Sequence, residues 1–461
     1  APSHGLPSLD HMAFRIANPQ EGLNSRRALA QQAFLQYGAW LRFGLIDQES
    51  HAVRELSNEE RNTLVVALDD ALGDGDVAAR LAGFAPRVRD YEILRREMLR
   101  VMALQPIWPE ITTEGGALEP GASGERVEQL RARLAAEGLY RSDWEEGAPY
   151  GPRLETAVRR FQGRVNLAPS GRMDRNTLRQ LNISPQARLT QLRANLEQRR
   201  WRERDLGRKH IWVNIADYRL EAWEDGELVR THQVMVGRTA SSTPEFSDEM
   251  EYLVLNPWWG VPTGSARSRF RSIRRNPNVV DYYGFRIFDS GGSAIQPWEI
   301  DWSRWGRSWP YRLSQAPGPT NPMGEVKFIF PNRHNVYIHD TTERDQFVRT
   351  RRDFSAGCIR VEDPLELARW VLDGQDGYDE DRIAQVVQGN TPTVVWLDER
   401  IRVHIAYWTV VGDENGDVRY LNDLYGRDSQ LVSAYQAALE GYQPTRSELV
   451  ELQENLAIAL D

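Results

Sequence analysis

His210-Ile211-Trp212-Val213-Asn214-Ile215 alternates apolar and polar residues, and the runs Tyr218–Trp223 and Val229–Val236 that follow do the same. A period of two sends successive side chains to opposite faces of a strand. Asp225-Gly226, between the second and third runs, is a hairpin turn signal. Further strand signals fall at 251–255, 325–330, 335–340, 357–361, 393–397 and 402–411. One helix is predicted at 364–373, with Asp363 as its cap and Pro364 at its first position. Residues 210–461 therefore read as one mostly-β domain. Residues 263–320 break the pattern with Arg, Gly, Pro and Trp and little periodicity. A long irregular insert inside a compact domain reads as a lid.

Upstream of 210 the period is helical. Ala30, Phe34, Tyr37 and Leu41 share roughly one face of a helix over 28–43, and Ser57 with Glu60 spells a capping box. Helices are also predicted at 76–84 and 88–104, so residues 1–115 read as a helical scaffold. The Pro, Gly and Thr of 106–120 mark a linker. Residues 116–183 then form a compact unit of three short helices. Val127, Leu130 and Leu134 make its first stripe, ending at Gly138, and Leu154, Ala157, Val158 and Phe161 make its second. Ser170-Gly171 turns the chain, and Asp174 caps a third helix through Leu178 and Leu181. Residues 184–209 read as one long helix returning to the scaffold, which makes the three-helix unit an excursion. The fold class is α+β and multidomain.

Composition narrows the function. The chain has 461 residues, with 57 Lys+Arg against 66 Asp+Glu and a net charge of −9. Length alone suggests about three domains. The acidic balance and the lack of a basic tract argue against nucleic acid as a partner. No run approaches the roughly 18 apolar residues of a membrane span. Cys358 is the only cysteine, so no intramolecular disulfide can form, and no CxxC or HExxH offers a metal site. No cofactor-binding motif is present either. Lys209 and Lys327 are the only lysines; the other basic residues are arginine. The opening Ala1-Pro2-Ser3 fits an exported protein relieved of its signal peptide, or equally a trimmed chain.

Two short segments carry the chemistry: Asn335-Val336-Tyr337-Ile338-His339-Asp340 and Ser355-Ala356-Gly357-Cys358-Ile359-Arg360-Val361. Alternation puts Tyr337 with His339, and Cys358 with Arg360, on one face of each strand. The intervening loop leaves room for the second strand to return beside the first. An imidazole beside a thiol stabilises the thiolate, the form that attacks a carbonyl. Gly357 allows a tight turn before the nucleophile, and N–H groups of 356–358 could hold an oxyanion. Arg360 suits a substrate carboxylate, and Asp340, by side chain or carbonyl, suits the orientation of His339. A lone cysteine is more often a small buried hydrophobe, so residue types alone leave the matter open.

The segments IHD and SAGCIR resemble the YkuD-type L,D-transpeptidases. Asn256-Pro257-Trp258-Trp259-Gly260-Val261-Pro262, Gln315–Pro319, Met323-Gly324-Glu325-Val326-Lys327-Phe328 and Phe84–Arg95 resemble the large, YcbB-like branch. The resemblance implies Cys358 as nucleophile and His339 as base, with Tyr337 and Arg360 at active-site positions. Ser355 and Gly357 belong to the nucleophile loop, Tyr337, Arg360, Ser355 and Trp259 are the expected substrate contacts, and Trp258 and Trp259 either line the groove or pack. The implied reaction acylates the cysteine with a peptidoglycan stem tetrapeptide, expels D-Ala, and passes the acyl group to a second stem as a 3→3 cross-link. Neither metal nor organic cofactor is implied. The implied partners are stem peptides and glycan, carbapenems as acylating inhibitors, and other cell-wall enzymes; the implied compartment is the periplasm. An L,D-carboxypeptidase or D-amino-acid exchanger, and a catalytically idle wall-binding scaffold, are the alternatives. Residues 116–183 resemble a peptidoglycan-binding domain. Departures from these patterns are Ala356, where smaller relatives often carry His, Ser170 and Asp174 in the binding unit, and Thr263-Gly264-Ser265-Ala266-Arg267-Ser268-Arg269 after Val261-Pro262. Among other candidates, His404 reads as structural, His334 as a neighbour of the site strand, and Glu343 with Asp345 as a solvated loop.

Overall fold

The computed structural model describes residues 2–105, 108–141, 147–202, 206–306, 309–413 and 415–441. They form two compact units: the described residues up to 202 together with those of 408–441, and those of 206–407.

The first unit is helical, with α1 (Asp10–Ala17), α2 (Leu23–Phe43), α3 (Asn58–Asp74), α4 (Val77–Ala82) and α5 (Arg89–Leu104). The capping box closes at the start of α3, where Ser57 accepts from the Glu60 N–H and the Glu60 carboxylate accepts from the Ser57 N–H. Next come α6 (Glu125–Ala136), α7 (Pro152–Arg164) and α8 (Arg175–Leu181), whose N-cap Asp174 accepts from the Thr177 N–H at 2.7 Å. Val127, Leu130, Leu134, Leu154, Ala157, Val158 and Phe161 are all buried, as the stripes require. Full burial of one such aliphatic side chain is worth about 1.5–3 kcal/mol. These residues do not make a core of their own: it runs on into Leu94, Met98 and Val101 of α5.

The same core takes in Leu189, Leu192 and Leu196 of α9 (Pro185–Arg200), the long helix expected from 184. Ser184 caps α9 through the Ala187 N–H. Although α9 reads as a polar helix, its last turns are buried. Glu197 accepts from the backbone N–H groups of Leu45 and Ile46 and pairs with Arg200, both side chains fully enclosed.

The second unit is built on strands β1 (Lys209–Asn214), β2 (Arg219–Glu224), β3 (Glu227–Gly237) and β4 (Phe246–Leu255). The β2–β3 hairpin turns at Asp225-Gly226, both with positive φ, 49° and 81°, as a tight hairpin requires. A short strand, β5 (Trp259–Gly260), then leads into α10 (Thr263–Arg275), α11 (Val279–Tyr282), β6 (Phe285–Phe288), β7 (Ala294–Ile295) and β8 (Arg312–Gln315). The expected irregular insert is thus ordered. Its strands form a separate antiparallel sheet, β5-β8-β6-β7, over a core of Trp259, Ala266, Phe270, Ile273, Phe285, Ile287 and Leu313.

The main chain path resumes with β9 (Val326–Ile329), β10 (Ile338–His339), β11 (Asp353–Ser355), β12 (Ile359–Val361), α12 (Pro364–Val371), α13 (Glu380–Gln388) and β13 (Thr393–Ala406). The large sheet runs β11-β3-β12-β10-β9-β4-β13-β1-β2, and β2 also pairs with β3. That extra pairing closes the sheet on itself and leaves β11 hanging on β3. Asp363 precedes α12 as expected but makes no side-chain cap: it sits in the left-handed region, φ 48°, and Pro364 opens the helix.

The chain after Tyr407 leaves this unit. Strands β14 (Val410–Gly412) and β15 (Val418–Tyr420) and helix α14 (Arg427–Gly441) pack with the helical unit, where the reading of 210–461 as one domain had placed them with the strands. Asn195 of α9 is the tie. Its Oδ1 accepts from the N–H groups of Thr409 and Val410, both at 3.0 Å.

Candidate active site

β10 lies between β9 and β12, antiparallel to the first and parallel to the second. In this register His339 stands opposite Arg360 on β12 and Lys327 on β9. The strand carrying the imidazole and the strand that follows Cys358 are therefore immediate neighbours, the arrangement the two sequence segments require.

His339 is 3 % exposed. Its Nδ1 meets the carbonyl oxygen of Asp340 at 2.5 Å. A carbonyl only accepts, so Nδ1 carries the proton and Nε2 presents a lone pair. Asp340 orients the ring by its main chain, because its carboxylate is spent elsewhere. It accepts from the N–H groups of Glu325 (2.8 Å) and Thr341 (2.6 Å) and from Arg344 (3.0 Å). Burial, with the charges of Arg360 and Lys327, lowers the His339 pKa to about 3, against the Asp340 carbonyl.

Cys358 is half-buried and unpaired. Burial raises its thiol pKa, opposed by hydrogen bonding from the Tyr337 main chain and phenol and by the charges of Lys327 and Arg360. Both shifts favour a neutral thiol beside a neutral imidazole over the imidazole-stabilised thiolate expected from sequence. The cations beside the sulfur belong to Lys327 and Arg360.

The loop before Cys358 is held by Thr243 and by its own atoms. Gly357 has φ 125°, a conformation side chains resist, and its carbonyl accepts from the buried Thr243 hydroxyl at 2.8 Å. Thr243 in turn accepts from the Gly237 N–H at 2.9 Å. A Cβ on Gly237 would lie 3.1 Å from the Gly357 Cα and collide with the Ser241 carbonyl. Ser355, expected to touch substrate, is 2 % exposed and bridges the loop instead: it donates to the Cys358 carbonyl (2.5 Å) and accepts from the Gly357 N–H (3.0 Å). With that N–H engaged, the expected oxyanion donors narrow to the main chain of Ala356 and Cys358.

Arg360 is ion-paired with the exposed Glu343, so Glu343 is more than part of a solvated loop. Tyr337 lies beside the sulfur, 5.5 Å from His339 between ring centroids, and the Lys327 ammonium sits 3.6 Å from the Tyr337 ring centroid. Trp259 is 8 % exposed and packs in the core of the insertion beneath Arg269, so it does not line a groove; Trp258, 42 % exposed, stays open to solvent. His334 lies at the surface against Phe246, and His404 is buried and bonded to Ser247. Among the described residues no cluster of three or more His, Cys, Asp or Glu could hold a metal ion.

Sequence reasoning assigned no role to Lys327, Thr243 or Gly237. For Lys327 there was a signal. A chain that writes nearly every basic residue as arginine places one of its two lysines here. Thr243 and Gly237 sit far from Gly357 in sequence, and nothing local marks them.

Residues 208–395 match the L,D-transpeptidase catalytic domain, YkuD, and residues 123–181 match the putative peptidoglycan binding domain. A putative L,D-transpeptidase of Haemophilus influenzae is 32 % identical over 222 residues, covering 48 % of this chain and 45 % of the relative. The chain thus spans about half the length of the curated relative it matches. Among solved structures, an L,D-transpeptidase from Xylanimonas cellulosilytica is 16 % identical, covering 64 % of this chain and all of the other, with a TM-score of 0.22. One from Stackebrandtia nassauensis is 13 % identical, covering 67 % and 99 %, with a TM-score of 0.23. Superpositions this loose add nothing to the family match.

Proposed function

We propose that this chain, which carries a YkuD-type L,D-transpeptidase catalytic domain in residues 208–395 and a peptidoglycan-binding-type domain in 123–181, cross-links peptidoglycan stems through an acyl-enzyme on Cys358. The observation that carries the reading is the parallel pairing of β10 and β12, which sets a buried, singly protonated imidazole on the strand beside the nucleophile.

Cys358 Sγ attacks the carbonyl at the L-centre of diaminopimelate in a stem tetrapeptide, and its proton passes to His339 Nε2. Because the ring starts neutral, it can take that proton. The carbonyl of Asp340 then holds the Nδ1–H of the resulting imidazolium. The C–N bond breaks, His339 returns the proton to the leaving D-Ala amine, and a thioester remains on Cys358. The side-chain amine of a second stem attacks the thioester, loses its proton to His339, and restores the thiol through a new amide. A thioester already holds the energy this step needs, so no nucleotide is consumed. Lys327 and Arg360 favour each anionic stage by charge, and Arg360 can exchange Glu343 for a stem carboxylate. The insertion between β5 and β8 serves as the lid over the acceptor. The three-helix unit contributes affinity for the wall, and the reading places the protein in the periplasm.

The test is muropeptide analysis of tetrapeptide-rich walls incubated with the protein. Dimers with 3→3 links are expected, and Cys358→Ala should abolish them. Tripeptides without dimers would mean hydrolysis, and an unchanged wall with native protein would leave a binding scaffold. Incubation with a carbapenem should add one acyl mass at Cys358.

A further inference from the structure

Helix α10 carries five arginines, Arg267, Arg269, Arg271, Arg274 and Arg275, and no acidic residue. Arg267, Arg271, Arg274 and Arg275 fall at i, i+4, i+7 and i+8, a spacing that puts them on one face about 100° wide. All four are exposed. Among the described residues no carboxylate forms an ion pair with any of the five arginines. Arg269 and Arg274 instead lie over Trp259 and Trp302, at 4.6 and 5.7 Å from the ring centroids.

Such a face opposes folding. Like charges at i, i+4, here Arg267 with Arg271 and Arg271 with Arg275, destabilise a helix. The helix dipole favours cations only in the last turn, which accounts for Arg274 and Arg275 and not for Arg267 or Arg271. In a chain of net charge −9 the stripe is also no by-product of a basic composition.

The other side of α10 is committed. Ala266, Phe270 and Ile273 are buried in the core of the insertion, and Tyr337, beside Cys358, packs against that same core. The arginine face thus belongs to a packed core that Tyr337 joins to the active site. With its apolar side buried, the helix has nothing to insert into a lipid layer. Guanidinium forks match carboxylates in pairs, and a murein strand presents repeated carboxylates on its stems.

We propose that the arginine face of α10 docks the stem-peptide carboxylates of a murein strand outside the catalytic groove. The proposal rests on the reading of this chain as a murein-acting enzyme. It concerns binding, so it can fail while the chemistry at Cys358 stands.

The test is co-sedimentation of the full chain, as Cys358→Ala to prevent turnover, with purified murein sacculi, with sacculi whose carboxylates have been converted to methylamides, and with anionic phospholipid vesicles. In low salt the parent should pellet with native sacculi, and at least fivefold less with the amidated ones. The Arg267→Gln/Arg271→Gln/Arg275→Gln variant should lose affinity for native sacculi at least fivefold while keeping the parent's thermal midpoint. The corresponding triple lysine variant should recover part of it. Equal pelleting of the glutamine variant, indifference to amidation, or a preference for vesicles over sacculi would each overturn the proposal. Failure of the catalytic reading would show separately, as native protein that makes no 3→3 dimers.

Discussion

At the scale of single residues, the site sets two opposed demands on Cys358. Burial holds the thiol protonated, while Lys327, Arg360 and Tyr337 favour its anion. The net direction is upward, so alkylation by iodoacetamide should be slow at neutral pH and rise only above the ordinary thiol range, near pH 8.5. A rate plateau between pH 4 and 7 would reveal a preformed thiolate and contradict the neutral pair. Lys327 can be isolated in the same measurement. Lys327→Met should move the alkylation midpoint up by on the order of one pH unit, and Lys327→Arg should restore most of it. Coincident profiles for Met and wild type would show that the sulfur does not feel the ammonium. The neighbouring strands that carry His339 and follow Cys358 were legible because two short segments alternate and lie close enough in sequence to pair. The oxyanion set and the role of Ser355 were not, because they depend on which N–H the loop uses for itself.

At the scale of elements, helices and strands declared themselves wherever a buried face repeats with the period of the backbone. The stripes of α6 and α7, the capping box of α3 and the Asp225-Gly226 hairpin are of this kind. Helix α9 was legible as a helix and illegible as a core element, since Asn195, Glu197, Arg199 and Arg200 look like a solvated face. Each is buried because its polar atoms meet main-chain groups from distant segments, which no local pattern records. Arg199, for example, donates to the Val410 carbonyl and lies 3.8 Å from the Trp408 ring centroid. Removing one partner of such a network strands the rest. Glu197→Ala should cost about 3–5 kcal/mol, because it takes the carboxylate from the buried Arg200 and leaves the Leu45 and Ile46 N–H groups without an acceptor. Urea unfolding followed by far-ultraviolet dichroism would measure it; a loss below about 1 kcal/mol would mean the network relaxes around the gap. The insertion was misread for a related reason. Its core is assembled from pieces too short to announce a period, Ala266, Phe270 and Ile273 of α10 with Phe285 and Ile287 of β6, and Trp302, Trp305 and Trp309 pack against it at no regular spacing.

At the scale of the whole molecule, each of the two units carries its own buried titratable groups. In the unit of residues 205–407, burial lowers the pKa of both His339 and His232 below the ordinary value of 6.5. Below that value the unfolded chain takes up protons that the folded unit refuses, so stability is complete above about pH 6.5 and declines as the pH falls. For His339, with a folded value of about 3, the loss between pH 7 and pH 5 is about 2 kcal/mol, and His232 adds to it in the same direction. Calorimetry on the full chain should therefore show a transition whose midpoint falls over this interval. His339→Gln should flatten that fall, since glutamine binds no proton in either state. The histidine owes its depressed value to the same enclosure that keeps the ring neutral, so acid sensitivity and the unprotonated Nε2 have one cause. If the wild-type transition keeps its midpoint from pH 7 to pH 5, the ring is open to solvent protons, and the neutral base in the mechanism loses its physical footing.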